Sequence, residues 1–195
     1  MKNCMRALTL PLLLLATLGA SSAHAEGSVH VLFPGLASFH DSKWTDSGTA
    51  GLVGLTGSFA GKKWPVHLDV SVRSVSSIDL FASSDLSATE WGVGVWRAFG
   101  RERKARPFLG GGVALVSASG HVTVPGASNN LRLRDQSFGA YVDGGVAWRL
   151  GEHFDIGLDV HFLQGTSFEG VNTGGGNVSA NANYGSLAMI LGWGW

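Results

Sequence analysis

The sequence predicts an all-β fold, an eight-stranded antiparallel up-and-down transmembrane β-barrel with short turns at one end and long loops at the other. Three observations carry this expectation. Apolar residues recur at period two along eight segments, the connections between those segments alternate short and long, and no later apolar run is long enough for a membrane helix.

Residues 1–25 have the three-part plan of a cleaved signal peptide. Lys2 and Arg6 precede an apolar run from Ala7 to Ala20, and small residues end at Ala23-His24-Ala25. That run falls short of the roughly 18 to 20 residues a membrane anchor needs. The expected domain is therefore 26–195, exported and free of disulfides, because Cys4 leaves with the leader.

Strands are expected near 28–38, 50–60, 66–75, 88–99, 107–119, 137–150, 154–164 and 183–195, each about the 9 to 11 residues a tilted strand needs to cross a bilayer. Alternate side chains of a strand lie on opposite faces. The clearest case puts Phe154, Ile156, Leu158, Val160 and Phe162 on one face, with Asp155, Gly157, Asp159 and His161 on the other. Val66, Leu68, Val70 and Val72 stand in the same way against His67, Asp69, Ser71 and Arg73. Connections 61–65, 100–106 and 151–153 are short, while 40–49, 76–87, 120–136 and 165–182 are long and polar.

Trp64, Trp96, Trp148, Trp193 and Trp195 all map to the short-turn end, where indole rings would form a girdle at a membrane–water boundary on the periplasmic side. Phe39, Phe81, Trp91, Phe138, Phe162 and Tyr184 are candidates for the opposite rim.

Alternation alone does not say which face is outside. A secreted, soluble, lipocalin-like barrel holding an apolar ligand would show the same period with its apolar face inward. Lipid outside is favoured by an almost purely aliphatic and aromatic face, an opposite face of charges, Gly and Ser, and only 14% charged residues. The predicted lumen set is His67, Asp69, Arg73, Glu90, Asp143, Arg149, Asp155, Asp159 and His161. It contains both signs and can pair across a narrow, filled interior. The runs Gly110-Gly111-Gly112 and Gly144-Gly145 would leave room for bulky inward neighbours. Zero net charge suggests no nucleic-acid partner.

The stretches RPFLGGGVALVSASG (Arg106–Gly120), GAYVDGGVAWRLGEHFDIGLDVHFLQG (Gly139–Gly165) and LAMILGWGW resemble the small outer-membrane β-barrel proteins of Gram-negative bacteria, the OmpX and opacity-type group. The resemblance implies residence in the outer membrane and contact with its lipid and lipopolysaccharide. It also implies a C-terminal insertion signal read by the barrel-assembly machinery, here Leu187, Met189, Leu191, Trp193 and Trp195, with Trp where the group usually has Phe. Adhesion, surface protection and structural support are the roles the group implies.

Some barrels of this size modify lipid A, an alternative that needs Ser, His and a carboxylate near the lipid-facing rim. Of the candidates His161, Ser167, Glu169 and His121, His161 is expected to point inward, away from lipid, so the expectation is a protein without enzymatic activity and without cofactor. His67, Asp69, Asp159 and His161 are the inward residues that would have to converge to hold a metal, and charge pairing is the preferred reading of them. Loop binding to an unknown host or surface ligand is left open. Arg132 and Arg134 suit lipopolysaccharide phosphates, and VNTGGGNVSANAN (171–183) reads as a mobile polar segment.

Overall fold

The computed structural model describes residues 25–40, 49–61, 64–77, 85–100, 104–123, 130–171 and 177–195. Phe81 of the expected rim and the leader up to residue 24 lie outside them. Eight strands close into an antiparallel barrel: β1 (Ala25–Phe39), β2 (Thr49–Gly61), β3 (His67–Ser77), β4 (Asp85–Ala98), β5 (Ala105–Thr123), β6 (Asn130–Leu150), β7 (Phe154–Gln164) and β10 (Tyr184–Gly194). Each pairs with its sequence neighbour, β10 pairs with β7, and β1 closes against β10 from Ser28 opposite Gly194 to Phe39 opposite Tyr184. Closure leaves no sheet edge around the barrel itself, and the outer arm of β6, residues 130–139, runs on past its β7 partner.

The Val, Leu, Ile, Phe and Trp residues at every second position form these strands because they suit a pleated surface packed on one side. Gly100 and Gly151 sit in short turns with φ of 70° and 79°, a left-handed conformation that costs glycine nothing. β1 gains one residue on both partners between Leu32 and Gly35. This bulge resets its alternation, so that Leu32, Gly35 and Ala37 are all buried while Leu36 is exposed.

Two long connections differ from expectation. Segment 120–136 is mostly strand, since β5 and β6 are 19 and 21 residues long and stay paired as far as Thr123 opposite Asn130. The last connection holds a small hairpin, β8 (Phe168–Val171) against β9 (Asn177–Ala180), so part of the expected mobile segment is ordered by pairing. Its base is tied to the barrel. Thr166 donates its amide and its hydroxyl to Asn183 Oδ1, and the Ala182 amide donates to Thr166 Oγ1.

The outer surface carries Val31, Leu36, Val53, Val93, Val113, Val142, Leu158, Val160, Leu187 and Leu191, all exposed. The interior is not polar throughout, as the inward mixture of charges, Gly and Ser had suggested. In the long-loop half it is a compact apolar core of Leu52, Val75, Val116, Leu163 and Phe168 with alanines between them. Eight strands enclose only enough width for small and medium side chains, and aliphatic ones fill it as well as polar ones.

Candidate functional site

Across the middle of the barrel runs a layer of buried ions. Arg73 on β3 donates to Asp159 on β7 at 2.8 Å, with both side chains almost wholly buried. His161 Nε2 meets Glu90 Oε2 on β4 at 3.3 Å, and the Tyr184 hydroxyl donates to that same oxygen at 2.6 Å. Imidazole and phenol rings stack beside them, Tyr141 with His161 at 5.2 Å and His161 near Tyr184 at 5.6 Å. Charges removed from water are best tolerated when paired and hydrogen-bonded, and this layer pairs them by joining strands from opposite walls, while Arg73 Nε, Glu90 Oε1 and His161 Nδ1 make no hydrogen bond.

On the long-loop side of this layer lies the apolar core; on the short-turn side the barrel is hollow. A cavity of about 410 Å³ runs from the rim residues Glu26, Arg106, Arg149 and Trp195 inward to Asp69, Asp159 and Leu32. The expected filled lumen therefore holds for one half only. Glycines make room for the large inward rings: Gly92 and Gly94 on β4 and Gly112 on β5 underlie the Tyr141 ring, whose hydroxyl a side-chain carbon at Gly94 would strike. Gly192 leaves room in the same way for His30. At the mouth, Arg149 grips Asp155 through two hydrogen bonds, 2.5 and 2.9 Å, and the Glu152 carbonyl through a third.

All nine expected lumen residues lie on the inner face. Arg73, Glu90, Asp159 and His161 belong to the ionic layer, Asp69 accepts the Tyr141 hydroxyl at 3.2 Å, and Arg149 and Asp155 close the mouth. Asp143 and His67 line the cavity. The four residues weighed as a metal set do not come together: Asp159 is bonded to Arg73, His161 to Glu90, Asp69 to Tyr141, and His67 stacks on Trp96 at 4.6 Å. Among the described residues no three His, Cys, Asp or Glu side chains form a group that could hold a metal. His161 is wholly enclosed, and the Ser167 amide donates to the Ser137 hydroxyl. The side chains of His121 and Glu169 lie outside the described ones.

The aromatic girdles need correction. Trp64, Trp148 and Trp193 are exposed at the short-turn end, Trp193 stacked on His153 at 5.1 Å. Trp195 is half exposed, and its indole lies over Gly27 at the cavity mouth. Trp96, however, points into the lumen, stacked on His67 and edge-on to Phe108 at 5.8 Å. At the other end Phe138 and Phe162 are exposed and Trp91 is half-buried, whereas Tyr184 is buried in the ionic layer and Phe39 packs on it at 5.7 Å. Spacing explains both errors. Trp96 is an even number of residues from Glu90, hence on the same face, and Tyr184 is an odd number from Leu187, hence on the opposite one.

Four residues here were absent from the sequence reading: His30, Phe108, Tyr141 and the plug residue Phe168. A lone large apolar residue in a polar connection was the available signal for Phe168. Tyr141 was marked by its even spacing from Asp143 and by the glycines across from it.

No protein-family model and no curated protein matches this chain. Solved structures do. Neisserial surface protein A is 15% identical over 88% of this chain and 97% of its own, with a TM-score of 0.54. The outer membrane protein OprG from Pseudomonas aeruginosa is 15% identical over 88% and 94%, with a TM-score of 0.56. Ail, the attachment invasion locus protein of Yersinia pestis, solved with the heparin analogue sucrose octasulfate, is 10% identical over 88% and 99%, with a TM-score of 0.56. The shared property at these identities is the fold, a small closed outer-membrane-type barrel.

Proposed function

We propose that this chain is an integral outer-membrane protein of a Gram-negative bacterium, without enzymatic activity, whose barrel anchors long surface loops for a structural or adhesive role. The observation that supports this most is the inversion of polarity across one sheet. Leu36 and Phe162 are 57% and 51% exposed on the outside, while Arg73 and His161 are 2% and 0% exposed within. In water that arrangement strands a broad apolar belt, and against acyl chains it is the stable one. A lipocalin-like barrel would need the reverse.

The barrel is blocked midway by the ionic layer and beyond it by the apolar core, which favours display at the loop end over conduction. β6 carries Arg132 and Arg134 into that end, where lipopolysaccharide phosphates are the proposed contact. Attachment is the role named for Ail, and surface binding of that kind is the corresponding proposal for these loops. The lipid A enzyme reading has little support, since His161 is sealed in the lumen on Glu90 while acyl chains lie outside. β10 presents Leu187, Met189, Leu191 and Trp193 outward, the face proposed to engage the barrel-assembly machinery.

Membrane fractionation with gel mobility before and after heating tests the reading. The expected result is extraction only with detergent and a faster band when unheated, because a closed barrel stays folded in SDS. Recovery as a soluble protein without detergent would overturn it. Mass spectrometry of lipid A with and without the protein is expected to show unchanged acylation.

A further inference from the structure

Two carboxylates at the inner end of the cavity each keep one oxygen without a donor. Asp69 and Asp143 are both more than nine-tenths buried, both line the cavity, and Oδ1 of each makes no hydrogen bond. Of the arginines nearby, Arg73 is engaged by Asp159, Arg149 by Asp155 and the Glu152 carbonyl, and Arg106 lines the outer part of the cavity. Burying an ionic oxygen without a donor is unfavourable, so the pair marks a place where a donor is missing.

The adjoining wall is aromatic. Trp96 lies between His67, stacked at 4.6 Å, and Phe108, edge-on at 5.8 Å. A side-chain carbon at Gly110 would stand 2.5 Å from Asp143 Oδ1 and 2.7 Å from Trp96 Cβ, so carboxylate and indole share one corner of the cavity. The absence of a side chain at Gly110 is what lets them meet.

We propose that this cavity binds a small organic cation, an ammonium or guanidinium group donating to Asp69 and Asp143 while a flat apolar body lies along Trp96 and Phe108. The volume, about 410 Å³, is that of a small-molecule site and far exceeds what a bare ion fills. Carboxylates exclude an anion, and their unmet oxygens disfavour a neutral apolar guest. Charge-assisted hydrogen bonds and attraction of the cation to the indole face favour the cation twice over. The inference concerns the lumen and does not depend on what the loops bind.

The test is isothermal titration of the protein purified in detergent micelles with three indoles of one shape: tryptamine (cationic), tryptophol (neutral) and indole-3-propionate (anionic), with protein-free micelles subtracted. The expected result is saturable tryptamine binding, tryptophol weaker by about tenfold or more through loss of the charge-assisted bond, and no binding of the propionate. Asp69→Asn and Asp143→Asn should each weaken tryptamine by about tenfold, with unheated gel mobility verifying the fold. Ala147→Phe, which adds a ring to the cavity wall and leaves both carboxylates in place, should abolish binding of every probe. No tryptamine binding at millimolar concentration, equal affinity for the three indoles, or binding undiminished in the folded variants would overturn the proposal.

Discussion

At the long-loop end the strands close around Leu52, Val75, Val116, Leu163 and Phe168, each nearly free of solvent; at the short-turn end the same strands surround open space walled by His30, His67, Trp96 and Phe108. Backbone geometry is common to both halves, so the difference lies in which side chains face inward at each level. Along β4 and β5 the inward residues run through Ala88, Ala114, Val116 and Ala118 in the filled half, but through Gly92, Gly94, Gly110 and Gly112 toward the hollow one. These glycines make room for the large inward side chains of that half, Tyr141 over Gly94 and Gly112 and Trp96 beside Gly110, and the cavity lies beyond those rings. Stability should therefore reside in the ionic layer and the core beyond it, with the hollow half left free to accept a guest.

Substitutions can break or sharpen this contrast, measured by urea unfolding of the protein in detergent. Arg73→Met should have the largest effect, about 3–5 kcal/mol, because it leaves Asp159 buried without its cation. Combining it with Asp159→Leu should recover much of that loss, since removing both charges also removes the desolvation penalty. Phe168→Ala should cost about 3 kcal/mol by opening a void at the plugged end. Tyr184→Phe should cost about 1–2 kcal/mol, the loss of the hydroxyl that donates to Glu90. Thr56→Ala, on the cavity wall, should stay within about 0.5 kcal/mol. A Thr56→Ala cost equal to that of Phe168→Ala would erase the distinction between the halves. At the outer face, Trp193→Ser with Trp195→Ser should reduce the folded outer-membrane fraction without impairing export, as quantified by immunoblots of fractions.

Much of the site was legible before the fold was seen, because period-two spacing assigns a face without any knowledge of partners. His67, Asp69 and Arg73 on β3 and Asp155, Asp159 and His161 on β7 follow from spacing alone. Trp96 and Tyr184 were legible too, but grouping aromatic residues by their distance from a turn overrode the parity that placed them inside. Phe168 was harder, for its burial depends on a hairpin folding back against β6, and no local pattern encodes that contact. The length of β6 was legible in part, since Leu131 and Leu133 alternate with Arg132 and Arg134, whereas the outer arm of β5, SASGHVT, is mostly small and polar and announces no strand.

By itself the sequence determined the number of strands in the barrel and the face on which each charge of β3 and β7 lies, since these depend on residues two or a few positions apart. Only the tertiary structure decided that Arg73 meets Asp159 across 86 residues and that Tyr184 reaches Glu90 across 94. It also decided that one half of the lumen is packed while the other is open. Those outcomes depend on the stagger at which the eight strands close, a property of the whole sheet that sets which inward side chains share a level and which face a gap.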